Sequence, residues 1–192
     1  MTVIPPFDGV IRQHQQDEHI AWAMLPCACP QNHAANLLPL DDGSLMCVWF
    51  GGSQEGKADI SIWGSRLAPG SDRWSEAVKL SDDPDRSEQN PVLFQAPDNV
   101  LWLLWTAQFA GNQDTAIVRY RLSHDGGRSW GAIDTLLDQP GTFIRQPISV
   151  MSDGNWLLPV FYCRTKPGEK WVGNDDISAV KISADQEIGR AS

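Results

Sequence analysis

Helix signals are nearly absent from this sequence of 192 residues. No capped apolar stripe with a helical period appears, so strands are left to build the core. No apolar run approaches the roughly 20 residues of a membrane-crossing helix. The start, Met1 to Asp8, has neither a basic segment nor an apolar one, so no secretory leader is expected and the cytoplasm is the default location. Cysteine is scarce, with four in the chain. Cys27-Ala28-Cys29 has the wrong spacing for a zinc ribbon. Cys47 and Cys163 sit in apolar strand-like stretches, so buried thiols are expected and no disulfide framework is visible. No metal or cofactor is expected. Basic residues number 15 against 24 acidic ones, a net charge of −9. That balance argues against nucleic acid and anionic membrane surfaces as partners. It also means that an anionic substrate would need a local cluster of Arg or His.

What the chain does have is turns that repeat. Asp42-Gly43, Asp98-Asn99 and Asp153-Gly154 recur at steps of 56 and 55 residues. Each has an apolar strand after it (Leu45 to Phe50, Val100 to Trp105, Trp156 to Tyr162) and another before it. Trp74 and Trp130 also stand 56 residues apart. The turn ending at Trp130 reads Ser123-His-Asp125-Gly-Gly127-Arg-Ser129-Trp130. There Asp and Ser bond their own backbone, Gly supplies positive φ, and Trp plugs the turn. Four strand-like segments per repeat of about 55 residues suggest propeller blades. The nine Trp residues fit such a repeating core. Trp49, Trp102 and Trp105, inside strands, are expected to be buried.

Ser123, Asp125, Gly127 and Trp130 form an Asp box, the bacterial neuraminidase repeat. With His33-Ala-Ala-Asn36, Trp49-Phe-Gly-Gly52, Gln89-Asn-Pro-Val92 and Ile144-Arg-Gln-Pro147, the chain resembles the sialidase-like, predicted-neuraminidase family. The likeness runs from about Gln31 to Asp185. It implies an all-β propeller of the sialidase type, six-bladed when complete, and a glycoside hydrolase acting on glycans. Residues 1–30 read as a lead-in, and 31–192 as a partial propeller with blades near 31–80, 86–137 and 142–185. A third Ser-x-Asp begins at Ser183, close to the last residue. The rest of the ring, a missing C-terminal half, is therefore an expected partner beside a glycan or oligosaccharide. One departure matters. Sialidases of this type carry Arg-Ile-Pro at the first inner strand, the start of an arginine triad. Here His33-Ala-Ala-Asn36 stands in that region, and only Arg145 has a triad-like place, which argues against sialic acid. Related propellers with a rim His include lyases and rhamnosidase-type enzymes on uronate-containing glycans. A non-catalytic carbohydrate-binding propeller is the third reading.

Strand polarity sorts the loops into two ends. Alternate turns of an antiparallel blade fall on the same side. One end collects the short Asp-Gly turns and the Asp box, whose residues read as structural. The other collects longer, charged loops on rigid strands, where sites are usually built. Its candidates are His33, Glu55 and Asp59 for catalysis. His33 could act as general acid or base, or could be a hydrogen-bonded structural residue. Two carboxylates are what glycosidic cleavage commonly needs, although Glu55 and Asp59 could equally belong to a solvated acidic loop. Asn36, Asn90, Gln108, Arg145, Tyr162 and Trp171 are the candidates for substrate binding. Arg145 is the best-placed cation for a carboxylate, although it could equally form a salt bridge to an acidic loop. Trp171, in a long loop, is a better candidate for stacking on a sugar than the strand tryptophans.

Overall fold

The computed structural model describes residues 6–27, 29–109, 112–165 and 168, together with the backbone of 177–184. Among these residues strands make up nearly all of the regular structure, joined by one 3-10 turn at Gln113–Thr115. No helix among the described residues is long and apolar enough to cross a membrane.

A small hairpin, β1 (Arg12–Gln13) with β2 (Ala21–Trp22), precedes three antiparallel four-stranded sheets. The first blade runs β3 (Gln31–Pro39), β4 (Leu45–Gly52), β5 (Ser61–Leu67) and β6 (Val78–Lys79), paired in chain order. The second repeats it as β7 (Arg86–Gln95), β8 (Leu101–Phe109), β9 (Ile117–Ser123) and β10 (Asp134–Leu137). In the third the inner strand is broken into β11 (Thr142–Phe143) and β12 (Ser149–Val150). Both pieces pair with β13 (Asn155–Tyr162), whose other edge pairs with β14 (Ile177–Ala184).

Period-two alternation decides how the blades stack. On β4, Met46, Val48 and Phe50 join Leu93, Leu101, Leu103 and Trp105 in the core between blades one and two. On β8 the alternate residues Trp102 and Leu104 face the other way. They pack with Ile144, Trp156, Leu158 and Val160 of blade three. β8 is therefore buried on both faces, which is why Leu101 to Trp105 read as a continuous apolar run rather than an alternating one. Burial of each such side chain contributes about 1.5–3 kcal/mol. The open flank of blade one is covered by the lead-in. Trp74 and Trp49 pack with Ile11, Ala23 and Leu25, while the Trp74 N–H donates to the Gly9 carbonyl at 3.0 Å. Cys47, on β4, and Cys163, just past the end of β13, are both buried, as expected.

The Asp box closes the β9–β10 connection through a dense set of local bonds. Asp125 Oδ1 accepts from Ser123 Oγ at 2.8 Å, from the Arg128 N–H at 3.0 Å and from the Ser129 N–H at 2.8 Å. Its other oxygen accepts from Ser129 Oγ at 2.5 Å. These bonds, first those of Ser129, hold its carboxyl far below the usual carboxylate range. Gly127 has φ +82°, and a Cβ there would stand 2.8 Å from Met46 Sδ of the neighbouring blade. Glycine is thus favoured by the positive φ, and a larger residue would also have to displace the Met46 side chain. Arg66 reaches from β5 to the Gly126 carbonyl and, at 2.5 Å, to Asp42 in the β3–β4 turn. Arg128 reaches Asp42 at 2.8 Å. The Asp box of blade two and the Asp-Gly turn of blade one therefore share one end of the structure.

Candidate functional site

The opposite end is shaped by a bulge repeated in the inner strands. Between His33 and Asn36 three steps along β3 answer two along β4, from Phe50 to Val48. Between Gln89 and Val92 the same shift occurs against Thr106 and Leu104. Ala34 and Asn90 stand at the two bulges, each with φ +52°. In blade three the break is wider: six steps from Phe143 to Ser149 answer four on β13, from Phe161 to Leu157. Arg145 and Gln146 lie in that break. A bulge re-aims side chains, and here consecutive residues go to different places. His33 and Gln89 line one cavity, and the next residues, Ala34 and Asn90, line another.

The larger cavity has a volume of about 550 Å³. Five glutamines contribute to it: Gln31, Gln54, Gln89, Gln108 and Gln113. His33, Glu55 and Gly56 complete the lining, and among the described residues no Lys or Arg takes part. His33 lies on Phe50 with ring centroids 5.3 Å apart and planes within 15°. Gln31 fixes the β4–β5 loop by accepting the Glu55 N–H at 2.9 Å. Gln89 is buried and donates to Ser87 Oγ at 3.0 Å. Gln108 is 2% exposed, and its side-chain oxygen has no hydrogen-bond partner among the described residues.

The smaller cavity, about 280 Å³, is lined by Ala34 to Asn36, Asn90-Pro91 and Arg145-Gln146. The Arg145 guanidinium lies over the Phe161 ring, 5.1 Å from its centroid. Asn36 also ties the blades together, because its side-chain oxygen accepts the Leu93 N–H at 3.0 Å.

The sequence-derived candidates thus divide. His33, Glu55 and Gln108 meet in the larger cavity, while Asn36, Asn90 and Arg145 meet in the smaller one. Asp59 lies on the rim loop, where Asp59 Oδ2 accepts the Ser53 N–H at 3.0 Å. Hydrogen bonding by Ser53, aided by the charge of Lys57, keeps that carboxyl below its ordinary range, ionised at neutral pH. Tyr162 is buried in the core between blades two and three. Trp171 lies outside the described residues. Gln31, Gln54 and Gln113 were not singled out from the sequence. Their signal was only that each falls on a segment of the loop-rich end.

Glu88, beside Gln89, is wholly buried. It accepts from Trp105 Nε1 at 2.8 Å and from Ser81 Oγ at 2.5 Å. Burial pushes its carboxyl up, and these two hydrogen bonds oppose the shift. In blade one, Asn32 accepts from Trp49 Nε1 at 3.0 Å. Asn32 and Glu88, like Trp49 and Trp105, are 56 residues apart, so this inner-strand acceptor is a repeated structural device.

Comparison with known proteins agrees with this architecture. Among curated proteins none matches the sequence. Among solved structures the chain is similar to the Hadza microbial sialidase Hz136, with TM-score 0.65 and 12% identity over 85% of this chain and 37% of that one. It is similar to an α-L-arabinofuranosidase from Lactobacillus brevis, with TM-score 0.60 and 14% identity over 88% and 58%. An α-L-arabinanase of Penicillium chrysogenum complexed with arabinobiose gives TM-score 0.56 and 14% identity over 81% and 47%. At such identities the likeness is one of fold. The chain spans between 37% and 58% of the length of these three. Residues 43–190 match the BNR repeat-like domain. The four-stranded blades, the Asp box on one end and this match together identify the chain as a member of the BNR repeat-like domain family, an all-β propeller fold of which it covers about three blades.

Proposed function

We propose that this chain forms the substrate-binding end of a glycoside hydrolase, with the cleaved sugar held in the glutamine-lined cavity. The observation that carries the reading is convergence. His33 from β3, Glu55 from the β4–β5 loop, Gln89 from β7 and Gln108 from β8 reach one cavity at the end away from the Asp box. A sugar site needs several hydrogen-bonding groups and an acid or base within reach of one ring. Glu55 is the group to exchange a proton with the glycosidic oxygen, and His33 the one to donate to, or take a proton from, a neighbouring hydroxyl. Asp59, held ionised by its own loop, serves to shape that loop. The structural neighbours named above are glycosidases, which supports the reaction class. A lyase would bring Arg145 and His33 to the same uronate; His33 lines the larger cavity and Arg145 the neighbouring smaller one, which favours the hydrolase reading.

The test is turnover on a panel of aryl glycosides and oligosaccharides, read as new reducing ends. Glu55→Gln and His33→Ala should each lower turnover by at least about a hundredfold, the usual scale for losing a general acid or base. Full turnover in both variants would reject the assignment. An ultraviolet-absorbing unsaturated product would point to a lyase, and binding without either product to a carbohydrate-binding propeller.

A further inference from the structure

Resting on that reading, we infer that the glutamine-lined cavity takes an uncharged sugar unit, and that the buried side-chain oxygen of Gln108 accepts a hydrogen bond from one of its hydroxyls. The Gln108 side-chain oxygen lacks a donor among the described residues. The residue is 2% exposed and is part of the cavity lining. A buried carbonyl oxygen without a partner is costly, and a ligand that brings a donor removes the cost. A sugar hydroxyl is such a donor. A carboxylate is not, because it only accepts.

Charge points the same way. The ionisable side chains on the lining are Glu55 and His33, and no Lys or Arg accompanies them among the described residues. An acidic sugar here would meet a carboxylate with no guanidinium to pair with, in a chain of net charge −9. Arg145, the cation singled out from the sequence for a carboxylate, lies in the other cavity over Phe161. The remaining glutamine amides offer both donors and acceptors, which suits a ring bearing several hydroxyls and no net charge. The volume of about 550 Å³ falls within the roughly 300–1,000 Å³ of small-molecule sites.

The experiment titrates the 192-residue protein with neutral disaccharides (arabinobiose, xylobiose, lactose) and with acidic ones (3'-sialyllactose, digalacturonate), read by calorimetry and saturation-transfer NMR. At least one neutral sugar should bind, and the acidic sugars at least tenfold more weakly. Gln108→Leu removes the orphaned oxygen. It should weaken the neutral sugar at least tenfold while leaving the melting temperature equal or higher. Equal or tighter binding of an acidic sugar would overturn the inference and leave the carbohydrate reading standing. Unchanged neutral-sugar affinity in a folded Gln108→Leu would remove Gln108 from the site. Should Gln108→Leu fail to fold, the wild-type ranking of neutral against acidic sugars still decides. Binding of no sugar in either class would reject the carbohydrate reading itself, and this inference with it.

Discussion

Removing the carboxylate of Glu88 probes how blades one and two are joined. One of its oxygens accepts from Trp105 Nε1 at 2.8 Å; the other accepts from Ser81 Oγ at 2.5 Å and the Asp83 N–H at 3.3 Å. Ser81 Oγ in turn accepts the Ile62 N–H at 2.8 Å, so the network crosses from β7 to β5. In Glu88→Ala the buried Trp105 and Ser81 donors face nothing. At about 1–3 kcal/mol for each unpaired buried group, the loss should be roughly 2–6 kcal/mol. Glu88→Gln keeps an oxygen for Trp105 but turns its amide donors toward Ser81 and Asp83. It should cost about 1–3 kcal/mol. The two variants also differ from the wild type in pH dependence. Burial, with the nearby Asp83 charge, raises the Glu88 carboxyl above its ordinary 4.5. The folded state therefore holds this proton where the unfolded state has lost it. The stability it contributes is full below the ordinary value and is lost as pH rises through the folded one. The wild-type advantage over Glu88→Gln should accordingly be largest near pH 4 and shrink toward neutrality. Urea unfolding followed by tryptophan fluorescence across that range measures it. A cost below about 1 kcal/mol for Glu88→Ala, or an advantage over Glu88→Gln that widens as pH rises, would refute the reasoning.

Two further predictions concern the turn-rich end. Trp130 is half-buried against the core between blades one and two. Trp130→Ala should cost about 2–4 kcal/mol, short of the 3–5 kcal/mol of a wholly buried aromatic. Urea titration would give that figure, and calorimetry should find sugar affinity unchanged. Asp42 is drawn down to about 2, first by Ser44, with Arg128 and Arg66 helping. Its contribution is present above the ordinary 3.8 and lost as pH falls through about 2. Asp42→Asn should therefore flatten the acid limb of a thermal-stability profile, and an unchanged limb would show that the Asp42 contacts with Ser44, Arg128 and Arg66 add nothing.

The local pattern determined the strands, their grouping and the sorting of turns to two ends. Asp-Gly turns at a fixed step, Trp74 and Trp130 at the same step, and the Asp box are local signals, because a turn is specified by its own few residues. The apolar strand Val100 to Trp105 and the burial of Trp102 and Trp105 were legible for the same kind of reason. The way the loop-rich end divides was not legible. Consecutive residues such as His33 and Ala34, or Gln89 and Asn90, line different cavities because bulges with φ +52° re-aim the strand. A bulge is a matter of register between two strands, and neither strand's sequence alone carries it. Tertiary packing likewise decided that Glu88 is a buried structural acid while Glu55 lines a cavity. Both are glutamates on the same end of the blades, but Glu88 stands on β7 among Trp105, Ser81 and Asp83, and Glu55 on the β4–β5 loop beside open cavity.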